Sequence, residues 1–297
     1  MAGIPVILDT DIAGDIDDTW ALALLLKCPE LDVKLVTTAT GETTYRAKVA
    51  CKLLEIAGRL DVPVGIGIKQ PMDISSKTQA MWIEDYDLKA FKGTLHANGV
   101  EALVDTIMQS PQPITLIGIA PLPNIAAALK LEPRIAGKCR FVGMHGSIYR
   151  QHDGKPESID EYNVKADIPA AKAVFSAPWR SMVITPLDTC GLVRLSGTKY
   201  DTVRACKDPL TAAVIENYRV WSWVGDQFSK RSSILFDTVA IHLAFSEKWL
   251  RMEDMRVAVD DSGFTRVSPE GQLMRVAIDW EDMGAFEEFL VERLTKS

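Results

Sequence analysis

Near its start the chain places a β-prone run, an acidic loop and a helical run in immediate succession. Ile4 to Leu8 is short, apolar and strand-like, and an apolar helical pattern runs from Trp20 to Leu26. Between them stand Asp9, Asp11, Asp15, Asp17 and Asp18, five carboxylates within ten residues and no Lys or Arg among them. Carboxylates so close repel one another unless positive charge lies between them. An acidic turn that only caps the next helix needs one or two acids. Five point to a bound divalent cation or a catalytic role, and hard oxygen donors favour calcium or magnesium. A loop at the carboxyl end of a strand is also where α/β sheets bind their ligands.

The rest of the chain supplies the sheet. Strands are predicted at Pro5–Leu8, Asp32–Thr38, Val62–Ile68, Ile114–Ile119, Arg140–Met144 and Ser181–Pro186. Helical patterns occupy Thr44–Ala57, Gly99–Gln109, Pro121–Leu131, Ile168–Ser176, Leu210–Trp223, Asp237–Phe245 and Met283 to about Thr295. This alternation means βαβ units, hence an α/β fold with an open, mainly parallel, Rossmann-like sheet and helices on both faces. Met255–Val259 and Leu273–Ile278 enclose Asp260-Asp261-Ser262-Gly263, a hairpin signal read as an appendage to that sheet. Residues 70–96 form a long polar connection, of the kind that is often functional. No linker, low-complexity segment or repeat interrupts residues 1–297, so one domain is expected.

A net charge of −7 and the absence of a basic run argue against nucleic acid or an acidic membrane as partner. No apolar stretch is long enough to span a bilayer. Cys28, Cys51, Cys139, Cys190 and Cys206 are scattered, odd in number and without zinc or redox spacing, which suits reduced thiols in a cytoplasm. Met1 to Ile4 leads directly into a strand, with no signal-peptide pattern.

Three chemistries compete for the acidic loop. An EF-hand is excluded, since its twelfth position is Trp20 where a bidentate Glu is required. A haloacid-dehalogenase-like Mg²⁺-dependent phosphatase needs Asp-x-Asp-x-Thr/Val. Asp9-Thr10-Asp11-Ile12 fits, but Ala13 ends the motif, and Gly225-Asp226 lacks the second acid of the later pair. The third reading extends over most of the chain. Asp9, Asp11, Asp17 and Asp18 match the Asp-x-Asp-x-Gly-x-Asp-Asp opening of the nucleoside hydrolases, with two extra residues in the loop containing Ala13 to Asp15. Ile119-Ala120-Pro121-Leu122-Pro123-Asn124 is similar to that family's Thr-Gly-Pro-Leu-Thr-Asn. Glu161-Tyr162-Asn163 with Asp167, and Phe236-Asp237-Thr238-Val239-Ala240, follow in the family's order. The chain thus resembles the inosine–uridine-preferring type of nucleoside hydrolase and its relatives.

The resemblance implies calcium-dependent hydrolysis of the N-glycosidic bond of a ribonucleoside, purine or related, giving ribose and free base. It implies Ca²⁺ held by Asp11, Asp18, Asp237 and the carbonyl of Ile119, with Asp11 also the general base. Asp17, Glu161 and Asn163 are then expected on ribose hydroxyls, with Glu42 and Asn124 beside them. Trp82, Tyr162 and the group Tyr218, Trp221, Trp223 and Phe228 are candidates to stack on the base. A homodimer or homotetramer is also implied. This chain departs from the pattern in three places. Phe236 replaces the His that protonates the leaving base, Glu42 replaces a ribose-facing Asn, and Asp15 has no counterpart. His145, at a strand end, is the expected substitute acid. Phe236 and Glu42 also leave open a ribose- or nucleoside-binding protein without efficient turnover.

Overall fold

The computed structural model describes residues 3–71, 77–222 and 227–296. Ten strands form one sheet: β1 (Ile4–Thr10), β2 (Leu31–Thr38), β3 (Val64–Ile66), β4 (Leu95–His96), β5 (Ile114–Gly118), β6 (Cys139–Met144), β7 (Ser181–Thr185), β8 (Leu250–Val259), β9 (Thr265–Val267) and β10 (Gln272–Trp280). Their order is β4-β3-β2-β1-β5-β6-β7-β10-β8-β9. From β4 to β10 every pairing is parallel; β8 and β9 are antiparallel additions at one edge.

The two-residue period of a strand decides which side chain enters which core. Val6 and Leu8 join one apolar cluster and Ile7 the other; Ile117 and Leu116 divide in the same way, as do Val142 and Phe141. All seven are fully buried. The first cluster is closed by the helices Asp17–Leu26, Thr43–Ile56, Pro209–Trp221, Phe236–Leu243 and Met283–Thr295, the second by Gly99–Gln109, Pro123–Leu131 and Ile168–Ser176. This is the helix-covered, mainly parallel sheet expected from the alternation.

The connectivity places the site. From β1 the chain moves outward through β2, β3 and β4, then returns to build β5 on the other side of β1. The carboxyl ends of β1 and β5 therefore flank the point where the strand order reverses, which opens a crevice for ligands.

Two expectations need correction. The turn at 260–263 joins β8 to β9, where the Asp260 amide donates to the Phe264 carbonyl at 2.9 Å. β10 instead inserts between β7 and β8, pairing Arg275 with Val183 in parallel and Val276 with Glu253 antiparallel. It is an extension of the main sheet rather than an appendage, because Met274 and Val276 are buried in the second core and need neighbours on both sides. The helix Gly197–Arg204 also lies in a stretch where no element was expected. Its mean hydropathy is low, and it is held by Tyr200 and Val203 alone among its buried residues.

Candidate active site

The acidic loop leaves β1 under strong local constraint. The Thr10 hydroxyl donates to an Asp18 carboxylate oxygen and accepts from the Ile12 amide at 3.1 Å, folding the loop back on its own start. Its carbonyls are then taken one by one. Arg46 donates to Ile12 at 2.8 Å, the Tyr45 hydroxyl to Ala13 at 3.1 Å, Thr78 to Gly14 at 2.6 Å and Gln79 to Asp15 at 3.1 Å. These bonds compensate Ala13 for its left-handed backbone, φ 80°. Asp15, for which the sequence offered no role, accepts from the Ile16 amide at 2.7 Å and lines the cavity.

Asp17 and Asp18 open the helix Asp17–Leu26, and Asp237 is the second residue of the helix Phe236–Leu243. One oxygen from each of these three buried side chains lies within 4.8 Å of the others. The Asp237 amide donates to Asp17 at 3.3 Å. Burial first, and then repulsion from neighbouring carboxylates, Asp11 and Asp15 among them, raises all three carboxyls well above the ordinary range. Asp11 lies close enough to repel each of the three, and its carboxylate is 3.6 Å from the Arg46 guanidinium. Burial raises its pKa and Arg46 opposes the rise. Three converging oxygen donors with no ion pair of their own among the described residues suit a hard cation, with the positive ends of two helices behind them. The triplet includes Asp17, expected on the sugar, alongside the expected ligands Asp18 and Asp237.

The facing wall comes from the segment after β6. Glu161 caps the short helix Tyr162–Lys165, accepting from the amides of Asn163 at 2.7 Å, Val164 at 3.2 Å and Gly146 at 3.0 Å. Burial raises its carboxyl to about 7 against the pull of those donors. Asn163 donates to the Met144 carbonyl at 3.1 Å and to that of Ile119 at 3.4 Å, tying this wall to the end of β5. Tyr162 stands 65% exposed at the mouth. Together these walls enclose a cavity of about 980 Å³, lined also by Arg46, Ile119, His152, Leu187, Trp221 and Phe236.

Four expected contacts do not line that cavity. His145 is fully buried, its Nε2 paired with the Ala120 carbonyl at 3.0 Å and its ring against Phe141 and Phe175. It follows Met144, which lines the cavity, and pleating turns it to the opposite face; burial lowers its pKa to about 4. Trp82 is buried beside the helices Thr43–Ile56 and Pro209–Trp221, donating to Glu216 at 3.3 Å with the Lys52 amine 4.1 Å from its ring centre. Asn124 lies beneath the site, donating to Asp9 at 2.8 Å and to the Thr38 carbonyl at 3.0 Å. Glu42 is paired with Lys69, although its neighbour Gly41 lines the cavity. Of the other rings, Tyr218 is core, while Trp223 and Gly225-Asp226 lie outside the described residues. Asp9, the nucleophile required by a phosphatase, is fully buried and bonded to Thr37 and Asn124. It has no path to a substrate.

Sequence reasoning missed Arg46, Gln79 and His152. Arg46 carried only a weak signal, a cation five residues after Gly41 on a helix that also holds Lys48 and Lys52. A buried arginine needs a carboxylate.

A family model described as inosine-uridine preferring nucleoside hydrolase matches residues 6–285. A pyrimidine-specific ribonucleoside hydrolase of Salmonella arizonae is 26% identical over 314 residues, covering 98% of each chain. The inosine-uridine preferring nucleoside hydrolase of Crithidia fasciculata is 31% identical over 190 residues, covering 60% of this chain and 59% of its own. Among solved structures, a plant nucleoside hydrolase superposes with a TM-score of 0.81 at 22% identity, covering 99% of both chains. A purine-preferring ribonucleoside hydrolase from Gardnerella vaginalis gives 0.78 at 19% identity over 98% of both. At these identities the two structures speak for the fold.

Proposed function

Since the chain belongs to the inosine–uridine preferring nucleoside hydrolase family, we propose that it hydrolyses the N-glycosidic bond of ribonucleosides in a calcium-dependent reaction, releasing ribose and a free base. The observation that carries this reading is the buried triplet Asp17, Asp18 and Asp237 opposite Glu161 and Asn163 in one cavity. Asp11, Asp18, Asp237 and the Ile119 carbonyl are the residues to hold Ca²⁺, an all-oxygen set drawn from three separate parts of the chain. When bound, the ion lowers the pKa of water and offsets the charge of the cluster.

Asp11 takes the proton of the attacking water. The nearby Arg46 guanidinium favours the ionised form that can do so. Asp17 accepts from ribose hydroxyls, with Asn163 on the opposite wall. Glu161, whose oxygens already accept three amides, is rigidly placed to receive a further hydroxyl. The carboxylates around the anomeric carbon stabilise the positive charge that develops there as the bond to the base lengthens. Trp221, Tyr162 and Phe236 also line the cavity and are the rings available to contact the base. The proposal includes a single domain over residues 1–297 and a homodimer or homotetramer. It also includes a cytoplasmic setting, which the absence of disulfides among the five cysteines suits. Among the described residues no helix is long and apolar enough to cross a membrane.

The test is ribose release from a panel of purine and pyrimidine nucleosides with added calcium, repeated after chelation and with Asp11→Ala. Release that both treatments abolish supports the reading, and inactivity across the panel with calcium bound refutes it. Phe236 favours one other reading, a nucleoside- or ribose-binding protein. Calorimetric binding without turnover would identify it.

A further inference from the structure

Among the described residues lining the cavity, His152 is the histidine, on the loop between β6 and Glu161. That loop is held from several sides. The Gln151 amide donates to the Lys155 carbonyl at 2.9 Å, and Arg150 bridges to Pro156. Asp188 accepts from the amides of Ile148, Tyr149 and Arg150 at 2.7 to 3.1 Å. Asp153 has a left-handed backbone, φ 62°, donates its amide to the Gly191 carbonyl at 3.1 Å and pairs with Arg194 at 3.0 Å. Gly191 is tight against His152: a Cβ there would lie 2.8 Å from the His152 Cα and 2.6 Å from the Leu187 carbonyl oxygen. Only glycine allows so close an approach.

The same strap leads to Phe236. Two residues beyond Gly191, the Val193 carbonyl accepts from the Leu235 amide at 2.9 Å, and Leu235 immediately precedes Phe236. Residues 191–193 therefore join the His152 loop to the start of the helix that carries Phe236, and both side chains line the cavity. A ring that can carry a proton thus lines the same cavity as Phe236, which cannot supply one.

We propose that His152 is the proton donor to the departing base, a role that rests on the hydrolase reading above. As the C1′–N bond breaks, its electron pair passes to the base, and a ring nitrogen of the base takes a proton from the imidazolium of His152. Water adds to C1′ and gives its proton to Asp11. Solvent then reprotonates the imidazole and receives the proton from Asp11, so atoms and charge balance. Charged groups around the loop are the pairs Asp153–Arg194 and Arg150–Asp279, Asp188 beneath residues 148–150, and Lys155 and Glu157 on the loop itself.

The experiment compares wild type with His152→Gln on inosine, uridine and p-nitrophenyl β-D-ribofuranoside, whose phenolate leaves without a proton. General acid catalysis contributes about 10²- to 10⁴-fold. His152→Gln should lose about 100-fold or more in kcat on the nucleosides, while its rate on the nitrophenyl riboside stays within a few-fold of wild type. That retained rate also shows that the variant is folded. An equal loss on both kinds of substrate, or no loss on nucleosides, overturns the assignment and leaves the hydrolase reading standing. A wild type that cleaves none of the three refutes both.

Discussion

Asp237→Asn should stabilise the metal-free protein and weaken its response to calcium. The substitution preserves shape but removes one charge from a triplet whose oxygens lie within 4.8 Å of one another. At that spacing an ionised pair repels by about 3 kcal/mol at an effective dielectric of about 20. The raised pKa values mean that protons already relieve part of this repulsion. A net gain of about 1–2 kcal/mol is therefore expected without metal. Unfolding entropy for 297 residues is about 0.6 kcal/mol/K, so Tm should rise by about 2–3 °C. Calcium at about 100 times its Kd stabilises wild type by about 2.7 kcal/mol, or about 4 °C. The variant, short of one charged donor, should gain less than half of that at the same calcium concentration. Calcium thus narrows or reverses the variant's lead, as differential scanning calorimetry with and without chelator at pH 8 will read. Lowering the pH should shrink the calcium effect in wild type, because protons and cation compete for the same oxygens. A variant that is less stable without metal, or that responds to calcium as wild type does, refutes the claim that this triplet is a repulsive cluster awaiting a cation.

Four further outcomes follow from particular contacts. With its carboxyl raised to about 7, folded Glu161 binds more protons than the unfolded chain between about pH 4.5 and 7, so it makes stability fall as pH rises through that window. Glu161→Gln should reduce the slope of urea-derived stability against pH there by up to about 1.4 kcal/mol per pH unit; an unchanged slope contradicts the assignment. Arg46→Met orphans the buried carbonyls of Ile12 and Thr40 and leaves Asp11 unpaired. It should cost about 3–5 kcal/mol in denaturant melts and move the acidic limb of the activity profile to higher pH. Gly191→Ala should cost about 1–3 kcal/mol and depress kcat on nucleosides more than on the nitrophenyl riboside, since the new methyl displaces His152. Trp82→Phe removes the bond to Glu216 and should destabilise by about 1 kcal/mol with KM for nucleosides unchanged; a raised KM would restore Trp82 to the cavity.

The sequence by itself determined the sheet and the position of its charge. Alternating apolar strands and amphipathic helices are local patterns, and Val6, Ile7 and Leu8 could only be buried on two faces. The acidic loop was legible for the same reason: five carboxylates in succession demand a counter-charge whatever surrounds them. Glu161, Asn163 and Asp237 were readable only through family resemblance, because their partners lie elsewhere along the chain. What the tertiary structure decided was direction. His145 and Met144 are neighbours in sequence, yet the pleat sends one to the cavity and its neighbour to the core. Trp82 looked available in a long polar loop until two helices closed over it. β10 read as half of a hairpin until it proved to pair with β7. His152 carried no signal at all, since its place in the cavity depends on Gly191, which is close in space and distant in sequence. The acidic loop could declare its charge locally; which of its carboxylates meet Asp237, and which meets Arg46, was settled only when the strands and helices packed.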